Sequence, residues 1–203
     1  MIKISTTNKK LGKFIPSLNL PPIKTCRAKA PCAKGCYACK GTWNYKNVKD
    51  SLNNNLVQFG LNKDKFFNEV INYLNNGDVI YKYFRWHSSG DIINLDYLKG
   101  MIKTALACKQ TKFLAFTKKF EIVNEYLANG GKIPSNLKIV FSAWDKDFTF
   151  ENPYNLPIAY VEFSNKEKNP TIPQSAFKCN GECKSCKVCW FLKKKQSVKF
   201  TQH

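Results

Sequence analysis

An α/β fold with a mainly parallel sheet is what this sequence predicts, on three observations. Short β-branched and aromatic runs alternate with stretches of helical period, and the spacing between runs suits βαβ units. The composition, 43% hydrophobic with 14% aromatic, supplies a packed core. Residues 63–77 (KDKFFNEVINYLNNG) set Phe66, Phe67, Val70, Ile71 and Leu74 on one helical face, and Gly77 ends the run. Val79 to Trp86 (VIYKYFRW) reads as the first strand. Asn94 is placed to cap a helix carrying Leu95, Leu98, Ile102 and Ala105 on one side. Residues 112–116 (KFLAF) form a second strand, and Phe120, Val123 and Leu127 mark a third helix closed by Gly130 and Gly131. Residues 137–141 (LKIVF) and 157–163 (PIAYVEF) are the third and fourth strands.

Parallel sheets of this kind gather ligands at the carboxyl ends of their strands. Past the first strand stands His87-Ser88-Ser89-Gly90-Asp91, past the second Thr117-Lys118-Lys119, past the third Ser142-Ala143-Trp144-Asp145. Each of these is also a normal composition for a loop or a cap. Together, on one rim, they form a candidate site. His87 itself reads as a structural histidine, Cys108 as a small buried hydrophobe at a helix end, and the terminal His203 as disordered.

At 203 residues there is room for one substantial domain, with or without a small metal-bound appendage. No stretch reaches the roughly 18–20 apolar residues of a membrane span. The opening MIKISTTNKKLGKF lacks the apolar core of a secretory signal. The expectation is a soluble cytoplasmic protein with no membrane partner. A formal net charge of +19 attracts polyanions, nucleic acid above all, through a Lys-rich surface. The 33 basic residues include only two arginines, Arg27 and Arg85, so sequence-specific base reading is not expected. Abundant Lys and Asn also suit an A/T-rich coding sequence.

Eight of the nine cysteines fall into two groups: Cys26, Cys32, Cys36 and Cys39, then Cys179, Cys183, Cys186 and Cys189. In a reducing compartment, clustered thiols favour metal over disulfides. The first group reads C-x5-C-x3-C-x2-C. Its last three members have the C-x3-C-x2-C spacing with which three thiolates hold a 4Fe-4S cluster and leave one iron open for S-adenosylmethionine. A closed four-cysteine site, zinc or iron–sulfur, is the competing reading. The second group reads C-x3-C-x2-C-x2-C. Four thiolates crowded into eleven residues suit an iron–sulfur cluster better than zinc, whose knuckles usually stand a dozen or more residues apart. One shared site built from both groups is also open. Lys184 and Lys187 stand beside the thiolates and would offset their charge.

The segments ISTTNKKLGKFIPSLNLPP, C-x5-C-x3-CYA, FRWHSSGD, FLAFTKK, LKIVFSAWD and the closing C-x3-C-x2-C-x2-CW resemble the gene product 88 proteins of bacteriophages. The same order of motifs is similar to a reduced radical S-adenosylmethionine enzyme of the spore photoproduct lyase type. The resemblance implies a partial (β/α) barrel over residues 1–165 and a cysteine-rich, cluster-binding element over 166–203. It implies Cys26, Cys32 and Cys36 as the cluster triad, with Cys39 an addition. It places Ser89, Gly90 and Asp91 at the cofactor's amino group, and Lys118 and Ser142 at its carboxylate or ribose. The implied cofactors are one or two 4Fe-4S clusters and S-adenosylmethionine, with zinc as the alternative. The implied activity is radical modification of nucleic acid. Against it stands a non-catalytic, metal-stabilised nucleic-acid-binding protein. No catalytic residue is identified; Tyr37, Tyr83 and His87 are candidates by position alone.

Overall fold

The sheet starts earlier in the chain than the hydrophobic pattern suggests. In the computed structural model, which describes residues 1–202, β1 (Ile4–Ser5) and β2 (Ser17–Leu18) both precede the first cysteine group. His203, expected to be disordered, lies outside the described residues. Three short 3-10 turns over residues 31–44 carry most of that group and lead into α1 (Lys46–Leu61) and α2 (Lys63–Asn75). Then come β3 (Tyr83–Trp86), α3 (Leu95–Ala107), β4 (Lys112–Thr117), α4 (Phe120–Ala128), β5 (Leu137–Ser142) and β6 (Ile158–Glu162). The C-terminal segment adds β7 (Phe177–Lys178), the single-turn α5 (Cys183–Cys186) and β8 (Ser197–Thr201).

All eight strands form one sheet in the order β1-β2-β3-β4-β5-β6-β8-β7. Only the β1–β2 pair is antiparallel; every other neighbour is parallel. Strands β2, β3, β4, β5, β6 and β8 are thus parallel neighbours in chain order. The mixed α/β class and the mainly parallel sheet stand as expected. Four strands were unforeseen, and β3 is shorter than the Val79–Trp86 run. Val79 and Ile80 remain exposed, because β2 and β4 offer partners only from Tyr83 onward. Since β7 and β8 pair within this sheet, residues 166–202 share its hydrogen-bond ladder with residues 1–165.

Strand alternation divides the apolar side chains between two faces. Phe84, Trp86, Phe113, Ala115, Ile139 and Phe141 point to the helices and meet Phe59, Phe66, Phe67, Tyr97, Leu98 and Met101. Edge-to-face rings knit that layer, with Phe59 and Tyr97 4.9 Å apart and Phe66 and Phe67 5.1 Å apart. Asn62 caps α2 and Asn94 caps α3, each side chain accepting an N–H three residues on. On the other face Leu114, Val140, Ala159 and Val198 pack under Leu11, Ile15, Trp190 and Leu192, with Cys179, Cys183 and Cys189 at the margin. The C-terminal cysteine segment therefore covers the sheet face that the helices leave open. Among the described residues, no helix is long and apolar enough to cross a membrane.

Candidate metal centres

The first cysteine group leaves the carboxyl end of β2 and lies against the loop that follows β3. Two hydrogen bonds fix that approach: Leu20 donates its N–H to the Ser89 carbonyl (2.9 Å), and the Ser89 hydroxyl donates to the Leu20 carbonyl (3.0 Å). Gly90 is essential to the fit. Its φ is +82°, and an added Cβ would lie 2.6 Å from the Leu20 Cβ and 2.8 Å from the Leu20 carbonyl oxygen. Cys26 sits within the electrostatic reach of Cys32, Cys36 and Asp91; burial first, and the Asp91 charge second, push its thiol up to about 11. Burial likewise raises Cys36, while backbone hydrogen bonds from Ala38 and Cys39 oppose the rise. Cys39 is exposed and adjoins Cys36. Tyr37 turns its hydroxyl inward to donate to the Ser88 carbonyl while its ring remains half in solvent against Trp43.

Asp91, Lys118 and Ser142 come together at the ends of three successive strands. The Asp91 carboxylate accepts the Lys118 N–H (2.9 Å) and the Ile92 N–H (2.7 Å), and the Lys118 ammonium donates to the Ser142 hydroxyl (2.8 Å). Burial raises the Asp91 carboxyl, and hydrogen bonds from Thr117, Lys118 and Ile92 pull it back. Lys118 also lies 5.3 Å from the centre of the Trp144 ring. Of the rim residues, Ser89 and Gly90 serve to dock the first cysteine loop. Asp91, Lys118 and Ser142 carry the polar, charge-bearing edge.

The second group packs on the open sheet face. Cys179 donates its N–H to the Lys199 carbonyl (2.8 Å) and its sulfur accepts the Gly181 N–H (3.4 Å). Trp190, directly after Cys189, donates its indole N–H to the Phe84 carbonyl (3.2 Å). The Lys184 N–H is held by the Lys10 carbonyl (2.9 Å), tying the segment to the N-terminus. Cys183 and Cys189 interact with Cys179 and Cys186, so all four sulfurs share one neighbourhood. Burial pushes the Cys189 thiol up to about 12 and raises Cys183, while the Arg85 charge pulls both down.

No two cysteines are joined in a disulfide. Among the described residues, no three His, Cys, Asp or Glu side chains meet tightly enough to grip a single metal ion. A zinc ion needs all its thiolates at one point, about 2.3 Å from the metal. A cubane cluster binds each thiolate to a different iron. Four thiols in each group, with N–H groups aimed at sulfur, make a donor set that fits either a cluster or a four-cysteine zinc site.

Sequence reasoning missed Arg85. It projects from β3 to the sheet face that the C-terminal cysteine segment covers, with Tyr37, Cys183, Cys189 and Cys179 within its electrostatic reach. Arg27 in the first loop pairs with Glu121 and reaches the Lys118 carbonyl (3.4 Å). The one sequence signal was rarity: in a chain whose basic residues are nearly all Lys, an arginine inside a strand stands out, though only Arg27 adjoins a cysteine group in the sequence. His87 is buried, with Nε2 3.1 Å from the Tyr97 hydroxyl, in keeping with a structural role. Cys108 is buried as expected. Cavities of about 370 Å³, beside Tyr73 and Tyr81, and 160 Å³, beside Tyr160 and Gln196, both lie away from the cysteines.

Fold and site together define an α/β protein with a parallel sheet and two separate thiol-rich centres. The chain belongs to the Gene product 88 family, whose match spans residues 2–199, in line with the phage-protein resemblance of its motifs. No curated protein and no solved structure matches it.

Proposed function

We propose that this chain is an iron–sulfur protein whose six in-order parallel strands form a radical-S-adenosylmethionine-like partial barrel, with one 4Fe-4S cluster per cysteine group. The observation that carries the reading is positional. Cys26, Cys32 and Cys36 gather at the end of the first parallel strand, beside Asp91 at the end of the second. Electrostatic contact of Cys26 with Cys32 and Cys36 supports those three as the triad; Cys39, hydrogen-bonded to Cys36, adjoins it as the added thiol. When bound, a cluster with an open iron supplies the electron that cleaves a carbon–sulfur bond of S-adenosylmethionine. The chain's own part is to place that cofactor. Asp91 is positioned to accept from an amino group, and Lys118 with Ser142 to donate to a carboxylate or ribose. The net charge of +19 supports a nucleic-acid substrate.

A second reading is favoured by the packing of Cys179, Cys183 and Cys189 into the sheet's apolar cover. There the centres are structural clamps and the lysines supply nucleic-acid affinity without chemistry. Oxygen-free protein given a reductant and S-adenosylmethionine separates the two. Release of 5′-deoxyadenosine is the outcome of the first reading. Intact clusters with no cofactor binding would leave the second.

A further inference from the structure

We propose that Arg85 is the built-in counter-ion of the C-terminal cysteine group, offsetting the net negative charge that the metal-loaded group places on the sheet face they share. The inference rests on the cluster-binding reading above and deepens it.

Position comes from the strand itself. In β3, Phe84 and Trp86 face the helices, so Tyr83 and Arg85 face the cysteine segment. The guanidinium is fixed on three sides. Nε donates to the Trp86 carbonyl (3.1 Å), Nη2 lies 3.5 Å from the His87 carbonyl, and the plane rests 4.2 Å from the centre of the Phe116 ring. No carboxylate pairs with it among the described residues; the six ion pairs all involve other cations. A partly buried charge without an anion is costly. Four thiolates around a divalent ion, or around a cluster, leave a net negative charge where Arg85 needs one. A lysine could not replace this arrangement fully, because only the planar guanidinium stacks on Phe116 while forking to two carbonyls.

The test uses full-length protein carrying Cys32→Ser and Cys36→Ser, so that metal is read at the C-terminal group alone. Arg85→Gln should lower the midpoint potential of that centre, since a nearby positive charge favours the more reduced, more negative state. Arg85→Lys should restore most of the difference. Metal removal should also lower the melting temperature of the Arg85 parent more than that of Arg85→Gln, because only the parent then strands a charge. If the centre proves to be zinc, the melting comparison decides alone. An unchanged potential at full metal content, or equal metal-dependent melting shifts, overturns the inference and leaves the cluster reading standing. A parent that binds no metal at Cys179–Cys189 overturns both. Should Arg85→Gln not fold, Phe116→Leu removes the ring that positions the charge. A potential shift in the same direction supports the proposal, and no shift overturns it.

Discussion

Gly90 decides how closely the first cysteine loop can lie on the sheet. Gly90→Ala would add a methyl against Leu20 at a left-handed φ, so it should cost about 2–4 kcal/mol in urea unfolding and loosen metal at Cys26, Cys32 and Cys36. An unchanged urea midpoint would show that this contact is dispensable. Cysteine identity gives a sharper residue-scale prediction. Cys26→Ser should strip iron from the first centre while Cys39→Ser keeps it; the reverse pattern would move the triad to Cys32, Cys36 and Cys39. His87 sets a pH dependence. Burial, and then the Arg85 charge, hold its pKa down to about 3, against 6.5 in the unfolded chain. The unfolded chain therefore binds the proton first, and stability falls as pH drops from 6.5 toward 3. Buried Asp91, with its carboxyl raised, opposes part of that slope. His87→Asn, which tolerates the native φ of +57°, should flatten the acid limb of a stability–pH curve. A limb as steep as in the parent would assign it to other groups.

At the scale of elements, α2 and α3 approach so closely that Gly100 has no room for a side chain: a methyl there would overlap the Phe67 ring. Gly→Ala in a helix normally gains up to about 1 kcal/mol, but overpacking costs about 1–3 kcal/mol. Gly100→Ala should therefore destabilise, and a stabilised variant in denaturant melts would contradict the close contact. These helices were readable in the sequence because their apolar faces are regular and Asn94 signals the cap of α3; the matching cap at Asn62 is seen only in the structure. Helix α1 was not, because its buried positions include Asn55, whose amide bonds Lys3 and Asn19 from distant segments. Only the fold supplies those partners. Strands β1, β2 and β7 are two residues long, too short to show alternation, and β8 follows a Lys-rich run that masks it. The rim was readable where strand ends were readable. The neighbourhood of Arg85 was not, since it depends on a cysteine segment a hundred residues away folding back over β3.

For the whole molecule, two properties dominate: charge and the pair of thiol centres. Among the described residues, six ion pairs, each at least partly exposed, add little stability and leave most lysines for solvent or a polyanion. Binding of a single-stranded oligonucleotide, followed by fluorescence anisotropy, should weaken steeply and log-linearly with salt. Affinity independent of salt would remove nucleic acid as the partner of this surface. The metal identity underlies everything else, and one measurement addresses it: iron, zinc and acid-labile sulfide per chain in protein purified without oxygen. The prediction is about four irons with matching sulfide for each occupied cysteine group, and negligible zinc. Stoichiometric zinc at both groups, or thiols that retain neither metal, would contradict it.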